Sequence, residues 1–144
     1  MARAEGRGSS GPWAEVCVVL CDDDAIARLN REYFGKDTPT DVISFAYTPP
    51  PGGARGGDLA VNLQRACAEG ARRRGGPSRE LALYIAHGCD HLTGATDDTP
   101  ADRARMLRRE QRWLREADTL GLLDALISSS CSSSSSSSNT PARP

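Results

Sequence analysis

His87 and His91 are the only two histidines in the sequence, and they stand four positions apart. On a helix that spacing puts both side chains on one face, within reach of a single metal ion. At about 100° per residue from Leu81, Ile85, Gly88 and Leu92 stay within about 40° and form a core stripe. The histidines fall at about 240° and 280°, on a separate flank. Gly94 follows, where a left-handed turn can reverse the chain and bring Asp97 and Asp98 back beside the histidines. Two histidines and one carboxylate, with a fourth position open, make a catalytic zinc pattern rather than a closed structural one. The candidate ligands of one Zn2+ ion are therefore His87, His91 and Asp97. The alternative is two surface histidines in accidental alignment.

Hydrolysis at such an ion also needs a base. Asp90 projects at about 180°, opposite the core stripe, and reads first as a solvated helix acid. Asp90 and Asp98 are the candidate bases. The same spacing also occurs in metzincin proteases, but zinc proteases place a glutamate base directly after the first histidine. Here that position is Gly88, which can carry no proton. A metzincin-like zinc protease is kept as an alternative and is disfavoured on that ground.

The elements that must position these residues are legible in outline. Residues 14–21 are β-rich and read as a buried strand. Asp22, Asp23 and Asp24 cap a helix running through Ile26, Leu29, Tyr33 and Phe34. A strand over 41–47, a Pro/Gly loop over 49–57 and a third strand over 59–63 follow, then a helix to about Arg74. Ser78 is the expected N-cap of the histidine helix, which runs to Leu92, and Thr99-Pro100 opens another helix through Met106, Trp113 and Leu114. A short apolar piece over 120–127 closes the domain. This is an α+β pattern: a small mixed sheet of three to four strands with four to five helices and a metal site at a helix end. Trp13, Tyr33, Tyr47, Tyr84 and Trp113 lie on apolar stripes and read as core rather than as base-stacking platforms.

With 144 residues the chain is sized for one domain. Residues 1–12 lack periodicity, and 128–144 hold ten serines around Cys131, so both segments are expected to be disordered around a folded unit over 13–127. The longest apolar run is Val16 to Cys21, six residues, too short for a membrane span or a secretory core. The expected location is the cytoplasm, with no membrane partner. The five cysteines include no CxxC, and Cys17 and Cys21 on one strand stand about 13 Å apart, too far to bridge, so the cysteines read as thiols. Net charge is −1, yet seventeen of the eighteen basic residues are arginine. Acidic residues interleave the run from Arg103 to Arg115, which reads as a solvated helix face.

Residues 87–97, HGCDHLTGATD, resemble the HGxLHLxGYxH signature of the YbeY-type endoribonucleases. Residues 29–45, LNREYFGKDTPTDVISF, are similar to that family's LNxxYRGKDxPTDVLSF, and Gly57-Asp58-Leu59 sits where the family has its GDI strand. The likeness runs over about 14–116, in order and spacing. It implies a single-domain, zinc-dependent, single-strand-specific endoribonuclease that matures ribosomal RNA at the 3′ end of the small-subunit species. Ribosomal RNA and the small ribosomal subunit would be its partners, with DNA not expected. A non-catalytic RNA- or ribosome-binding remnant is a further alternative. Four positions depart from the pattern. The third ligand, usually histidine, is Asp97, as in some branches; the leucine before the second histidine is Asp90; the tyrosine after Gly94 is Ala95. The arginine held to line the RNA cleft is Phe34, so Arg31, Lys36 or Arg55 would have to meet phosphate instead. The family's first strand and helix have no counterpart before Trp13, which leads us to expect a less complete sheet.

Overall fold

A computed structural model describes residues 13–124 and 126–127. The segments 1–12 and 128–144, expected to be disordered, lie outside the described residues. Seven elements follow in order: β1 (Trp13–Cys21), α1 (Asp23–Phe34), β2 (Val42–Ala46), β3 (Arg55–Asn62), α2 (Leu63–Ala71), α3 (Gly76–Leu92) and α4 (Pro100–Thr119). The strands form one mixed sheet in the order β1-β3-β2, with β1 parallel and β2 antiparallel to the central β3. Three strands and four helices make this the expected α+β architecture.

The strand alternation of β3 organises the core. Leu59 and Val61 point to one face, where they pack with Ala66 of α2 and with Leu81, Tyr84 and Leu92 of α3. Ala60 points to the other face, against Ile26 of α1 and Ile43 of β2. Helix starts follow local chemistry. Asp22 accepts the Ala25 N–H at 2.8 Å, and Thr99 accepts the Asp102 N–H at 3.1 Å with Pro100 in the first turn. Asn62, fully buried at the end of β3, caps α2 through Arg65 N–H and donates to Asp23 and to the Thr40 carbonyl. It ties α1, β2, β3 and α2 at one corner.

Several expectations are corrected. β1 is not buried: it is a sheet edge, and Val18, Val19 and Leu20 are exposed. An apolar strand is covered only where a second layer lies over it, and α1 and α3 lie over the two faces of β3 instead. The loop after Pro49 ends early because β3 begins at Arg55, whose segment pairs with the start of β1. α2 stops at Ala71, before the Arg72–Arg74 run. Ser78 does not cap α3; the helix begins at Gly76 with Pro77 in its first turn, and the Ser78 hydroxyl accepts the Ile127 N–H at 3.0 Å. Tyr84 is buried as expected, but Tyr33 and Tyr47 are exposed. Among its described residues the piece over 120–127 forms no regular element, and it buries Leu123 while exposing Leu120 and Leu122. Cys17, Cys21 and Cys89 are free thiols, whereas Cys67 is disulfide-bonded. Spacing along one strand excludes only a local bridge.

Candidate metal centre

The histidine helix is seated on the sheet by its smallest residue. A Cβ on Gly88 would lie 2.8 Å from Leu59 Cδ2 and 2.9 Å from Val42 Cγ2, so a larger side chain there requires those core side chains or α3 to shift. The Ser44 hydroxyl of β2 donates to the Gly88 carbonyl at 2.9 Å and fixes the helix against the strand. His87 and His91 flank this contact.

Each imidazole is held by its Nδ1. That of His91 lies 3.1 Å from the Ala95 carbonyl, which can only accept, so Nδ1 carries the proton. That of His87 lies 2.8 Å from Glu110 Oε1 of α4, a carboxylate oxygen 3% exposed as a residue. With a proton acceptor at each Nδ1, the Nε2 atoms, which face each other at 3.1 Å, are the ring atoms turned to a shared cation. Two lone pairs aimed at one point repel unless a cation lies between them. Nitrogens about 2.0–2.1 Å from a tetrahedral ion stand about 3.3 Å apart, close to what is seen. Asp97 completes the set: the three ligand atoms lie within 4.8 Å of one another. Gly94, at φ +97°, makes the turn that returns the chain to this face. Two imidazoles and a carboxylate suit a borderline divalent ion such as zinc.

Helix α4 ties down both ligand-bearing segments, α3 and the turn that carries Asp97. Glu110 orients His87. Arg103 donates to the Asp97 backbone carbonyl at 2.9 Å. Arg109 grips Asp90 through Nε and Nη2 at 2.8 and 2.9 Å, and hydrogen bonding to that carboxylate raises the guanidinium above its ordinary pKa. Asp90 is 0% exposed, which corrects its reading as a solvated acid. The wheel angle located it opposite the sheet-facing stripe, and α4 packs on that flank. With both oxygens on Arg109, Asp90 lines neither cleft at the ligands. Asp98 is exposed and stands outside the ligand cluster and both linings.

Two clefts meet at His87 and Asp97. A polar groove of about 690 Å3 runs past Phe34, Lys36, Thr40, Ser44, His87 and His91. A narrower, mostly apolar slot of about 320 Å3 opens between α3 and α4 beside His87, Asp97 and Glu110. Of the three candidate phosphate contacts, Lys36 lines the groove. Arg31 is paired with Asp37, and Arg55 stacks over the Trp13 ring at 4.8 Å; neither lines it. Sequence reasoning missed Arg103, Arg109 and Glu110. One signal was available: Glu110 lies four residues from both Met106 and Leu114, so it shares their buried stripe, where a carboxylate requires a partner.

Comparison with known proteins gives a family. A family model described as Endoribonuclease YbeY matches residues 4–118. A protein named Endoribonuclease YbeY from Anaeromyxobacter sp. (strain Fw109-5) is 40% identical over 109 residues, covering 75% of this chain and 57% of the relative. Relatives of the same name from Roseiflexus sp. (strain RS-1) and Moorella thermoacetica are 40% and 38% identical, covering 74% and 76% of this chain and 71% and 76% of their own lengths. The chain thus spans between about half and three quarters of these relatives.

Proposed function

The chain belongs to the YbeY endoribonuclease family, and from that premise we propose that it cuts single-stranded RNA at a divalent ion held by His87, His91 and Asp97. The observation that carries this reading is the pair of Nε2 atoms converging at 3.1 Å beside a carboxylate. A zinc ion held there supplies Lewis acidity towards a phosphate oxygen and lowers the pKa of water. The chain's own residues do the rest. Glu110 and the Ala95 carbonyl hold the two rings in the tautomer that presents Nε2. Arg103 holds the Asp97 segment in place. Lys36 offers a cation to the phosphate backbone in the groove, so RNA affinity falls as salt rises.

A protease reading is opposed by geometry as well as by composition. A glutamate in place of Gly88 would drive its Cβ into Leu59 and Val42. The substrate we propose is ribosomal RNA of the small subunit, during ribosome maturation in the cytoplasm. Among the described residues no helix is long and apolar enough to cross a membrane.

The test is cleavage by the purified full chain. It should cut single-stranded RNA and leave casein-like peptides intact; a chelator should abolish cutting and added zinc should restore it. Metal-dependent peptide cleavage, or binding of RNA without any cutting, would contradict the proposal.

A further inference from the structure

The slot between α3 and α4 includes His87 and Asp97 in its lining, but its apolar walls take no part in the ligand cluster. Its apolar walls are Leu83 and Tyr84 of α3, Met106 and Leu107 of α4, and Val42 of β2, and Asp41, His87, Asp97, Arg103 and Glu110 complete the lining. Burial pushes the Tyr84 phenol above its ordinary pKa. The slot shares Asp41, Val42, His87 and Asp97 with the polar groove, so the ligand cluster stands at the boundary between a more polar cleft and a more apolar one. A chain that alternates charged links with flat apolar groups fits such a boundary. At about 320 Å3 the slot is at the lower end of small-ligand sites, room for one flat ring system.

We propose that this slot seats one nucleobase of the RNA, that of a nucleotide adjoining the phosphate presented to His87, His91 and Asp97. This rests on the RNA-cutting reading above and adds to it a subsite. The occupant follows from continuity: a nucleotide whose phosphate reaches the ligand cluster has its base within one sugar of His87, and of the two clefts there the slot exposes the more apolar surface, while the groove mixes Lys36, Thr38, Thr40 and Ser44 with Phe34 and Ile43. Arg103, already bonded to the Asp97 carbonyl, lies where the slot meets the cluster and fixes the spacing between base and phosphate. Apolar walls give little hydrogen-bond readout, so the subsite favours the presence of a base over its identity.

The experiment uses metal-loaded full chain and short single-stranded RNAs, each lacking the base of one nucleotide. One position beside the cut should lose about tenfold or more in kcat/KM, the size of a lost base contact, while the others change little. Leu107 is exposed, so Leu107→Ala should fold normally and keep its metal. In that variant the penalty at the same position should shrink to about twofold or threefold, because the wall that rewarded the base is gone. Cutting indifferent to every base would overturn the subsite and leave RNA cleavage standing, with the slot then open to an apolar side chain of a partner protein. An unchanged penalty in Leu107→Ala would place the base elsewhere and also overturn it. No cutting of any RNA would overturn the functional reading and the subsite together.

Discussion

The edge strand β1 and the helix α3 make opposite use of their residues. β1 contains the longest apolar run in the sequence, yet Val19 is 50% and Leu20 51% exposed, because only β3 pairs with it and little lies over its faces. α3 carries Glu80, Asp90 and two histidines, yet it buries Asp90 completely, because the sheet covers one flank and α4 the other. Residue polarity states what an element would gain by being covered. Whether it is covered depends on the second element. The candidate ligand cluster lies at the margin of that cover, with His87 and His91 half-buried and Asp97 exposed, and there each imidazole has a named partner on a neighbouring element or turn.

The sharpest way to break this contrast is to unpair the buried acid. Arg109→Met leaves the Asp90 carboxylate without its counter-ion in a fully buried place, and should cost about 3 kcal/mol of folding stability. That is the low end of the usual range, since the Arg109 side chain is one third exposed. Urea denaturation of the full chain measures it, and a loss under about 1 kcal/mol would mean that water reaches Asp90.

A smaller effect should separate holding the helix from holding the ligand. Glu110→Ala removes the acceptor at His87 Nδ1 and should weaken metal affinity about 10–100-fold, read by competition with a chelating dye. Unchanged affinity would exclude Glu110 from any role in orienting the centre. The smallest change is expected on β1. Val19→Thr should alter stability by no more than about 0.5 kcal/mol in the same urea assay, because the side chain is already in water. A cost above about 1.5 kcal/mol would show that another surface covers the strand in solution.

What could be read in advance follows the range of the interactions. Caps at Asp22 and Thr99, the turn at Gly94 and the helical pairing of His87 with His91 depend on residues within a few positions, and all were legible. Gly88 was legible as a close contact because it falls on the apolar stripe, although Leu59 and Val42 as its neighbours were not. The roles of Asp90, Arg103, Arg109 and Glu110 depend on the crossing of α3 with α4, which periodicity along either helix does not specify. The basic run on α4 looked like a solvated face because its acids and bases alternate. Two of its arginines are instead bonded to groups outside their own helix.

The metal centre itself is tested most directly by equilibrium binding of zinc to the full chain and to three single variants. Wild type should bind about one ion, and His91→Ala should lose it, since removing one Nε2 leaves a single imidazole facing the carboxylate. Asp97→Ala should weaken binding far more than Asp98→Ala, because only Asp97 stands with the histidines in the cluster. Equal metal content in wild type and His91→Ala would contradict the centre outright.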